Sequence, residues 1–216
     1  MSRTQTLWPF VAAMALIVVA SNILVQYPFT HFGLGEILTW GAFTYPVAFL
    51  VNDLTNRRFG PHAARRVVLV GFALAVILSI WLATPRIALA SGTAFLVAQL
   101  LDAAIFDRLR RQQWWHAPLF STLIGSVIDT ALFFSLAFAA QFAFLDTAIG
   151  MEDGSLGFPV PFMGGEAPLW VSLAFGDFCV KMAIGLAMLA PYGALLRILK
   201  PAETSAGVGE DVHQLS

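Results

Sequence analysis

Charge is what this chain has least of. Of its 216 residues only 12% are Asp, Glu, Lys or Arg, against 58% hydrophobic; a soluble domain carries about 25% charge. Too few ionic groups remain to coat a water-soluble globule, and the apolar majority excludes a disordered chain. The 12 basic and 13 acidic residues nearly cancel, to −1, so no basic surface for nucleic acid is built in. Cysteine occurs once, at Cys179, which excludes an intramolecular disulfide and a multi-cysteine metal site. The ATP-binding pattern G-x-x-x-x-G-K-[ST] is missing, as are H-E-x-x-H and G-x-S-x-G. His31, His62, His116 and His213 fall in expected loops or the tail, so no zinc site is expected within the apolar segments. These absences argue against an enzyme and against a metal or other cofactor. They leave a membrane protein.

Six apolar stretches approach the length of about 20 residues that crosses a bilayer core: roughly Leu7–Val25, Ile37–Leu54, Val67–Thr84, Ile87–Phe106, Pro118–Phe144 and Leu169–Ile198. The expected fold is therefore all-α, six transmembrane helices in one domain over residues 1–200, with a disordered cytoplasmic tail at 201–216. Gly41 and Pro46 interrupt the second span, so a kink is expected near Pro46. Only Pro85 and Arg86 separate the third and fourth, which predicts a tight hairpin.

The arginines orient the spans. Arg3, Arg57, Arg58, Arg65, Arg66, Arg108, Arg110, Arg111, Arg197 and Lys200 all fall on one side, and Arg86 alone falls opposite. The positive-inside rule makes the Arg-rich side, and both termini, cytoplasmic. Trp8, Trp114 and Trp115 at the inner boundary and Trp40, Trp81 and Trp170 at the outer one form an aromatic belt in the lipid bilayer. The first span is too long for an ordinary signal-peptide core, so its cleavage is not expected. The external loop Asp146–Ala167 is Gly-rich and acidic without Lys or Arg, and a short re-entrant or interfacial piece is expected around Phe158–Met163.

A charge at the bilayer centre costs at least ~2.5–3.5 kcal/mol on insertion scales, so it faces a cavity or a partner. Asp129 and Lys181 fall near mid-membrane, Asp177 one turn outward, Asp102 in the inner third, and Asp53 at the inner end of span two. Asp177 and Lys181 stand four apart and share a helix face. Their simplest reading is a self-neutralising structural pair. Asp129 has no basic neighbour on its helix, and its face carries Thr122, Gly125 and Ser126; it is either structural or exposed to a cavity. Asp53 reads equally as a cytoplasmic ion pair or cap. Asn22 and Gln26 share a face on span one, and Gln99 and Asp102 stand three apart on span four. The strip Ala90, Ala94, Ala98 reads as a helix-packing face. Polar groups at several depths on five spans exceed what one structural pair requires and suit a path for a polar solute.

Several stretches, in order, carry a family resemblance: Ser21-Asn22-Ile23-Leu24-Val25-Gln26; Thr39 to Gly60 (TWGAFTYPVAFLVNDLTNRRFG); Gln99-Leu100-Leu101-Asp102 through Trp114-Trp115; Ser121-Thr122-Leu123 with Gly125 and Asp129-Thr130; and Asp177-Phe178-Cys179-Val180-Lys181 with Pro191-Tyr192-Gly193. The chain resembles the queuosine precursor transporters, also called the vitamin uptake transporter family. The resemblance implies a six-helix inner-membrane importer of 7-deazaguanines such as 7-cyano-7-deazaguanine and its aminomethyl form, by secondary or facilitated transport, with a homodimer as a compatible state. Ser126 stands where Asn is equally acceptable, and the loop Asp146–Ala167 is longer and more acidic than expected.

The implied cargo suits the residues. A 7-deazaguanine presents a ring N–H beside an exocyclic amine, and a carboxylate accepts both hydrogen bonds; its O6 requires a donor such as Asn, Gln or Lys. Asp129 or Asp177 is the candidate for the base edge, with Asn22 and Gln26 assisting. Tyr45, Phe43 and Trp40 are candidate aromatic walls, and Asp102 and Gln99 the lining of the inner exit. Lys181 would keep Asp177 or Asp129 ionised when empty, and Asp53 and Ser126 have gating or structural roles. Two other readings remain: a substrate-binding subunit driven by separate ATPase subunits docking through small-residue faces, and a membrane enzyme or structural protein.

Overall fold

The structure is a computed structural model that describes residues 6–35, 38–196 and 198. The expected tail 201–216, and Arg3, Arg197 and Lys200 of the charge count, lie outside the described residues.

Proline and glycine set the helix boundaries. Helix α1 (Trp8–Leu24) carries Pro9 in its first turn. The second expected span is two pieces, α2 (Gly41–Thr44) and α3 (Val47–Phe59), broken at Pro46 as anticipated. Gly60, at φ +83°, takes the left-handed conformation that ends α3, and Pro61 begins α4 (Pro61–Leu82) at the next residue. Thr84 caps α5 (Pro85–Leu109) by accepting from the Ile87 amide at 3.4 Å, and Pro85 is its first residue, which gives the tight α4–α5 turn. Helix α6 (His116–Phe138) ends six residues before the expected limit of span five, and α7 (Phe144–Thr147) is a single turn. Helix α8 (Leu169–Leu196) continues through Pro191. Helices α4, α5, α6 and α8 are long and apolar enough to cross a bilayer, and α1 is a shorter apolar helix of 17 residues.

The segment expected to hold a short re-entrant or interfacial piece forms a hairpin. Strands β1 (Pro159–Phe162) and β2 (Gly165–Pro168) pair antiparallel, Phe162 opposite Gly165. The two turn residues, Met163 (φ +48°) and Gly164 (φ +86°), both take positive φ, the conformation that matches the twist of a two-residue hairpin.

Two apolar clusters hold the bundle. Met14 and Val18 of α1 pack with Ala48 and Val51 of α3, Val67, Val68 and Ala75 of α4, and Phe95 of α5. Leu54, Phe106, Ala117 and Tyr192 join α3, α5, α6 and α8 at the end of the bundle where the arginines lie, the arginine end. Ala90, Ala94 and Ala98 are buried, so the small-residue strip is spent on internal packing and is not free to dock a separate subunit.

Arg86, counted in the sequence only as the exception to the charge bias, anchors the opposite, loop end. Its guanidinium is buried and donates to Asp146 Oδ2 (2.8 Å), Ser155 Oγ (3.2 Å) and the carbonyls of Leu136 (2.9 Å) and Ala139 (2.6 Å). Asp153 lies 3.5 Å away, its carboxyl held below the usual range by the hydroxyl and amide of Ser155. Removing one partner of a buried pair strands the other charge, at ~3–5 kcal/mol. Asp146→Ala is therefore expected to raise hydrogen exchange across residues 139–157 while leaving α4 and α5 protected; unchanged exchange in that loop contradicts the anchoring role.

Candidate functional site

Helices α3 and α6 run antiparallel with matched turns. Tyr45, just before α3, meets Asp129; Phe49, one turn on, meets Gly125; Asp53, one turn further, meets Ser121. Four residues advance one side chain by about one turn on the same helix face, so this spacing builds a polar, aromatic, polar succession between the two helices.

The first polar layer is an ion-pair network. Lys181 of α8 donates to Asp129 Oδ2 at 2.7 Å and to Thr130 Oγ1 at 3.1 Å, and pairs with Asp177 one turn earlier on its own helix. Thr130 donates to Asp177 Oδ2 at 2.9 Å, and Tyr45 donates its hydroxyl to Asp129 Oδ1 at 2.9 Å. The ammonium also lies 5.4 Å from the Tyr45 ring centroid. Lys181 and Asp129 are only 4% and 3% exposed. One ammonium thus faces two carboxylates, and both oxygens of Asp129 are engaged.

The second polar layer lies one to two turns nearer the arginine end and has a different character. Asn52 Nδ2 donates to the Gln99 carbonyl and to Asp102 Oδ2, both at 2.9 Å; Asn56 Nδ2 donates to the Ala103 carbonyl at 2.7 Å. Ser121 donates to Asp53 Oδ1 at 3.3 Å. Asn52, Asn56, Gln99, Asp102 and Ser126 are fully buried. Among the described residues, Asn52 Oδ1, Asn56 Oδ1, Asp102 Oδ1, Ser126 Oγ and both amide atoms of Gln99 have no hydrogen-bond partner. Buried polar atoms are nearly always paired, so these six orphans form a marked exception. A narrow cleft bounded by Pro46, Leu50, Thr122, Gly185 and Tyr192 reaches Asp53 from between α3, α6 and α8.

Phe49 separates the two layers. It is fully buried, and a Cβ added at Gly125 would meet its ring at 2.8 Å. Glycine at 125 is therefore what lets the ring pack this close to α6.

The structure thus brings together Tyr45, Asp129, Asp177 and Lys181 in one layer, and Asp53, Gln99 and Asp102 in the other; Ser126 is buried next to Gly125, at the level of Phe49. Asn22 and Gln26 stand apart: Asn22 accepts from Ser79 of α4 at 3.1 Å, and Gln26, exposed, donates to the Asn22 carbonyl at 3.3 Å. The sequence reading missed Asn52, Asn56 and Thr130 as site residues. The signal was available on α3, where Tyr45, Phe49, Asn52, Asp53 and Asn56 recur at helical spacing on one face. Among the described residues, no group of three or more His, Cys, Asp or Glu side chains is arranged to hold a metal ion. Gly125→Ala is expected to destabilise the protein by about 1–3 kcal/mol, the range for overpacking, and Gly125→Ala with Phe49→Leu to recover most of the loss. Thermal unfolding of the single and double variants measures it; an additive double variant rules out the contact as the cause.

A family profile described as "Putative vitamin uptake transporter" matches residues 39–84 and 79–195. The "Queuosine precursor transporter" of Escherichia coli K12 is 36% identical over 206 residues, covering 85% of this chain and 83% of the relative. The "Probable queuosine precursor transporter" of Haemophilus influenzae is 34% identical over 215 residues, and that of Bacillus subtilis 24% over 211; each alignment covers 85% of this chain and, respectively, 83% and 81% of the relative. No solved structure matches the chain.

Proposed function

Since the chain belongs to the vitamin uptake transporter family, we propose that it imports queuosine precursors, 7-cyano-7-deazaguanine or its aminomethyl form, across a bacterial inner membrane by secondary or facilitated transport and without catalysing a reaction. The proposed topology has six crossings, made by α1, the broken α2–α3 segment, α4, α5, α6 and α8, with both termini in the cytoplasm. The arginines at one end of the bundle support that orientation. A homodimer is compatible with the broad apolar face of α8, on which only Lys181 and Tyr192 are buried among the described residues.

The observation that carries the transport reading is the succession of polar layers along α3 and α6, linked to α8 through Lys181. A bilayer-buried structural protein gains nothing from two such layers, whereas a polar solute requires them. In this reading the Asp129–Lys181–Asp177 network is the latch that must rearrange to let cargo past Phe49. The second layer is the pocket nearer the cytoplasm. Asn22 and Gln26 belong to the external mouth.

Purified protein in liposomes is expected to take up labelled 7-cyano-7-deazaguanine with no other subunit present. Lys181→Met, which leaves two carboxylates facing each other without a cation, is expected to lower that uptake at least about tenfold, as a loss of ~1.4 kcal/mol or more in the transport step would. Uptake that rises with an inward proton gradient identifies proton coupling; uptake indifferent to it identifies facilitated diffusion. A folded wild-type protein that takes up nothing unaided rejects the self-sufficient importer. For topology, single cysteines at Ser2 and Ser205 in a Cys179→Ser background are expected to react with an impermeant maleimide only after the cells are opened; labelling in intact cells overturns the assigned orientation.

A further inference from the structure

The two polar layers are unequal in one respect that bears on recognition. In the first, the carboxylate oxygens of Asp129 are taken by Tyr45 and Lys181, and Thr130 both accepts from Lys181 and donates to Asp177. A ligand that used those groups would have to break an ion pair first. In the second, hydrogen-bonding capacity is unspent on buried residues. Asn52 is pinned through Nδ2 to Gln99 and Asp102, which leaves its Oδ1 free. Asp102 Oδ1 and both amide atoms of Gln99 are free as well, and Ser126 adds a free hydroxyl from α6. All four residues are fully buried.

The balance of donors and acceptors is specific. The free set on Asn52, Asp102 and Gln99 comprises three acceptors, Asn52 Oδ1, Asp102 Oδ1 and Gln99 Oε1, and one side-chain amide donor, Gln99 Nε2. The surplus of acceptors asks for a ligand edge rich in N–H groups with one carbonyl beside them. A lactam N–H flanked by an exocyclic amine on one side and a carbonyl on the other has that composition, and it is the Watson–Crick edge of a guanine-type heterocycle. An adenine-type edge, with one amine and a ring acceptor, leaves acceptors unfilled; a pyrimidine dione edge brings a surplus of carbonyls.

We propose that Asp102, Asn52 and Gln99, with Ser126 of α6, form the site that reads the guanine-type edge of the cargo: Asp102 and Asn52 accept from the ring N–H and the exocyclic amine, and Gln99 donates to the carbonyl. This rests on the transport reading above. It assigns base recognition to the second layer and gives Asp129, Lys181 and Asp177 the conformational role. The orphaned atoms are filled when cargo is bound, which supplies the partners that the protein itself lacks.

Equilibrium binding to the purified full-length protein tests the assignment, with 7-cyano-7-deazaguanine and its analogue lacking the 2-amino group as probes. Wild-type protein is expected to bind the analogue at least about tenfold more weakly, because a buried acceptor is then left unfilled. Asp102→Asn, near-isosteric and checked by thermal unfolding, is expected to shrink that discrimination to about threefold or less. Ser126→Ala supplies a milder variant, expected to weaken binding of both probes several-fold. Asp129→Asn is expected to preserve the discrimination ratio whatever it does to transport. Discrimination unchanged in Asp102→Asn, discrimination abolished by Asp129→Asn, or full binding of both probes by Ser126→Ala together with Gln99→Met overturns the proposal and leaves the second layer as a water-filled polar core. Failure of folded wild-type protein to bind either probe rejects the transport reading itself, a result distinct from wild-type binding whose discrimination is insensitive to the second layer.

Discussion

The Lys181 ammonium decides where α8 sits. Helix α8 has 28 residues, yet among the described residues it buries only Lys181 and Tyr192. Most of its other residues are apolar and only partly buried, and in lipid an apolar surface supplies no hydrophobic drive toward the bundle. Placement therefore falls to two polar tethers. At the arginine end, Tyr192 accepts from Arg57 of α3 at 2.9 Å and stacks near Trp114. At mid-helix, Lys181 reaches across to Asp129 of α6 while Asp177 balances it from one turn away. A buried ion pair is weak as a source of net stability but strict about geometry, because a partner removed leaves a charge in a medium that cannot solvate it. A helix held by such tethers has few favoured positions, and moving between them means exchanging partners rather than sliding.

That constraint meets a second one at α3. The matched turns of α3 and α6 put Tyr45, Phe49 and Asp53 against Asp129, Gly125 and Ser121. Tyr45 belongs to both systems, since its hydroxyl holds Asp129 and its ring lies beside the Lys181 ammonium. Any shift of Lys181 is thus felt at the break around Pro46, where α2 and α3 meet without a continuous hydrogen-bond ladder and bending is cheapest. The Phe49 ring follows one turn later. The ion-pair network, the helix break and the aromatic divider are mechanically one unit.

Much of this was legible in the residues, and what was not has a physical reason. The Pro46 break and the α4–α5 turn at Pro85 follow from the missing proline N–H and needed no tertiary information. The association of Asp177 with Lys181 follows from four-residue spacing, and the inward face of Asp129 from its small polar neighbours. That Lys181 would take both carboxylates was not readable, because Asp129 and Lys181 are 52 residues apart. Asn52 and Asn56 were overlooked because span two was taken to end near Asp53, where polar residues look like a cytoplasmic boundary; α3 runs on to Phe59, and its last turns are buried against α5. The Arg86 anchor was hidden likewise: its partners lie 50 to 69 residues away, at the end of α6 and in a loop whose acidity looked like solvent exposure. The hairpin at Pro159–Pro168 was missed because Met163 is a poor advertisement for a positive φ.

Under the proposed function, the unequal satisfaction of the two polar layers gives binding a way to act on the ion-pair network. A ligand shifts a conformational equilibrium only by its difference in affinity for the two states. Moving a population from 1:99 to 99:1 takes about 5.5 kcal/mol of such difference. Each buried polar atom left unpaired costs ~1–3 kcal/mol, and a ligand that pairs it recovers that amount only in the conformation where the atom is both buried and aligned. At the upper end of that range two of the six orphaned atoms supply the shift, and at the lower end all six are needed. The saturated first layer has no comparable reserve: its groups already hold one another, and a ligand there trades one good contact for another. Unspent hydrogen-bonding groups beside a satisfied ion-pair network are therefore an arrangement that, under the proposed function, makes cargo recognition and movement of α8 separate tasks, coupled through the single turn of α3 that carries Phe49.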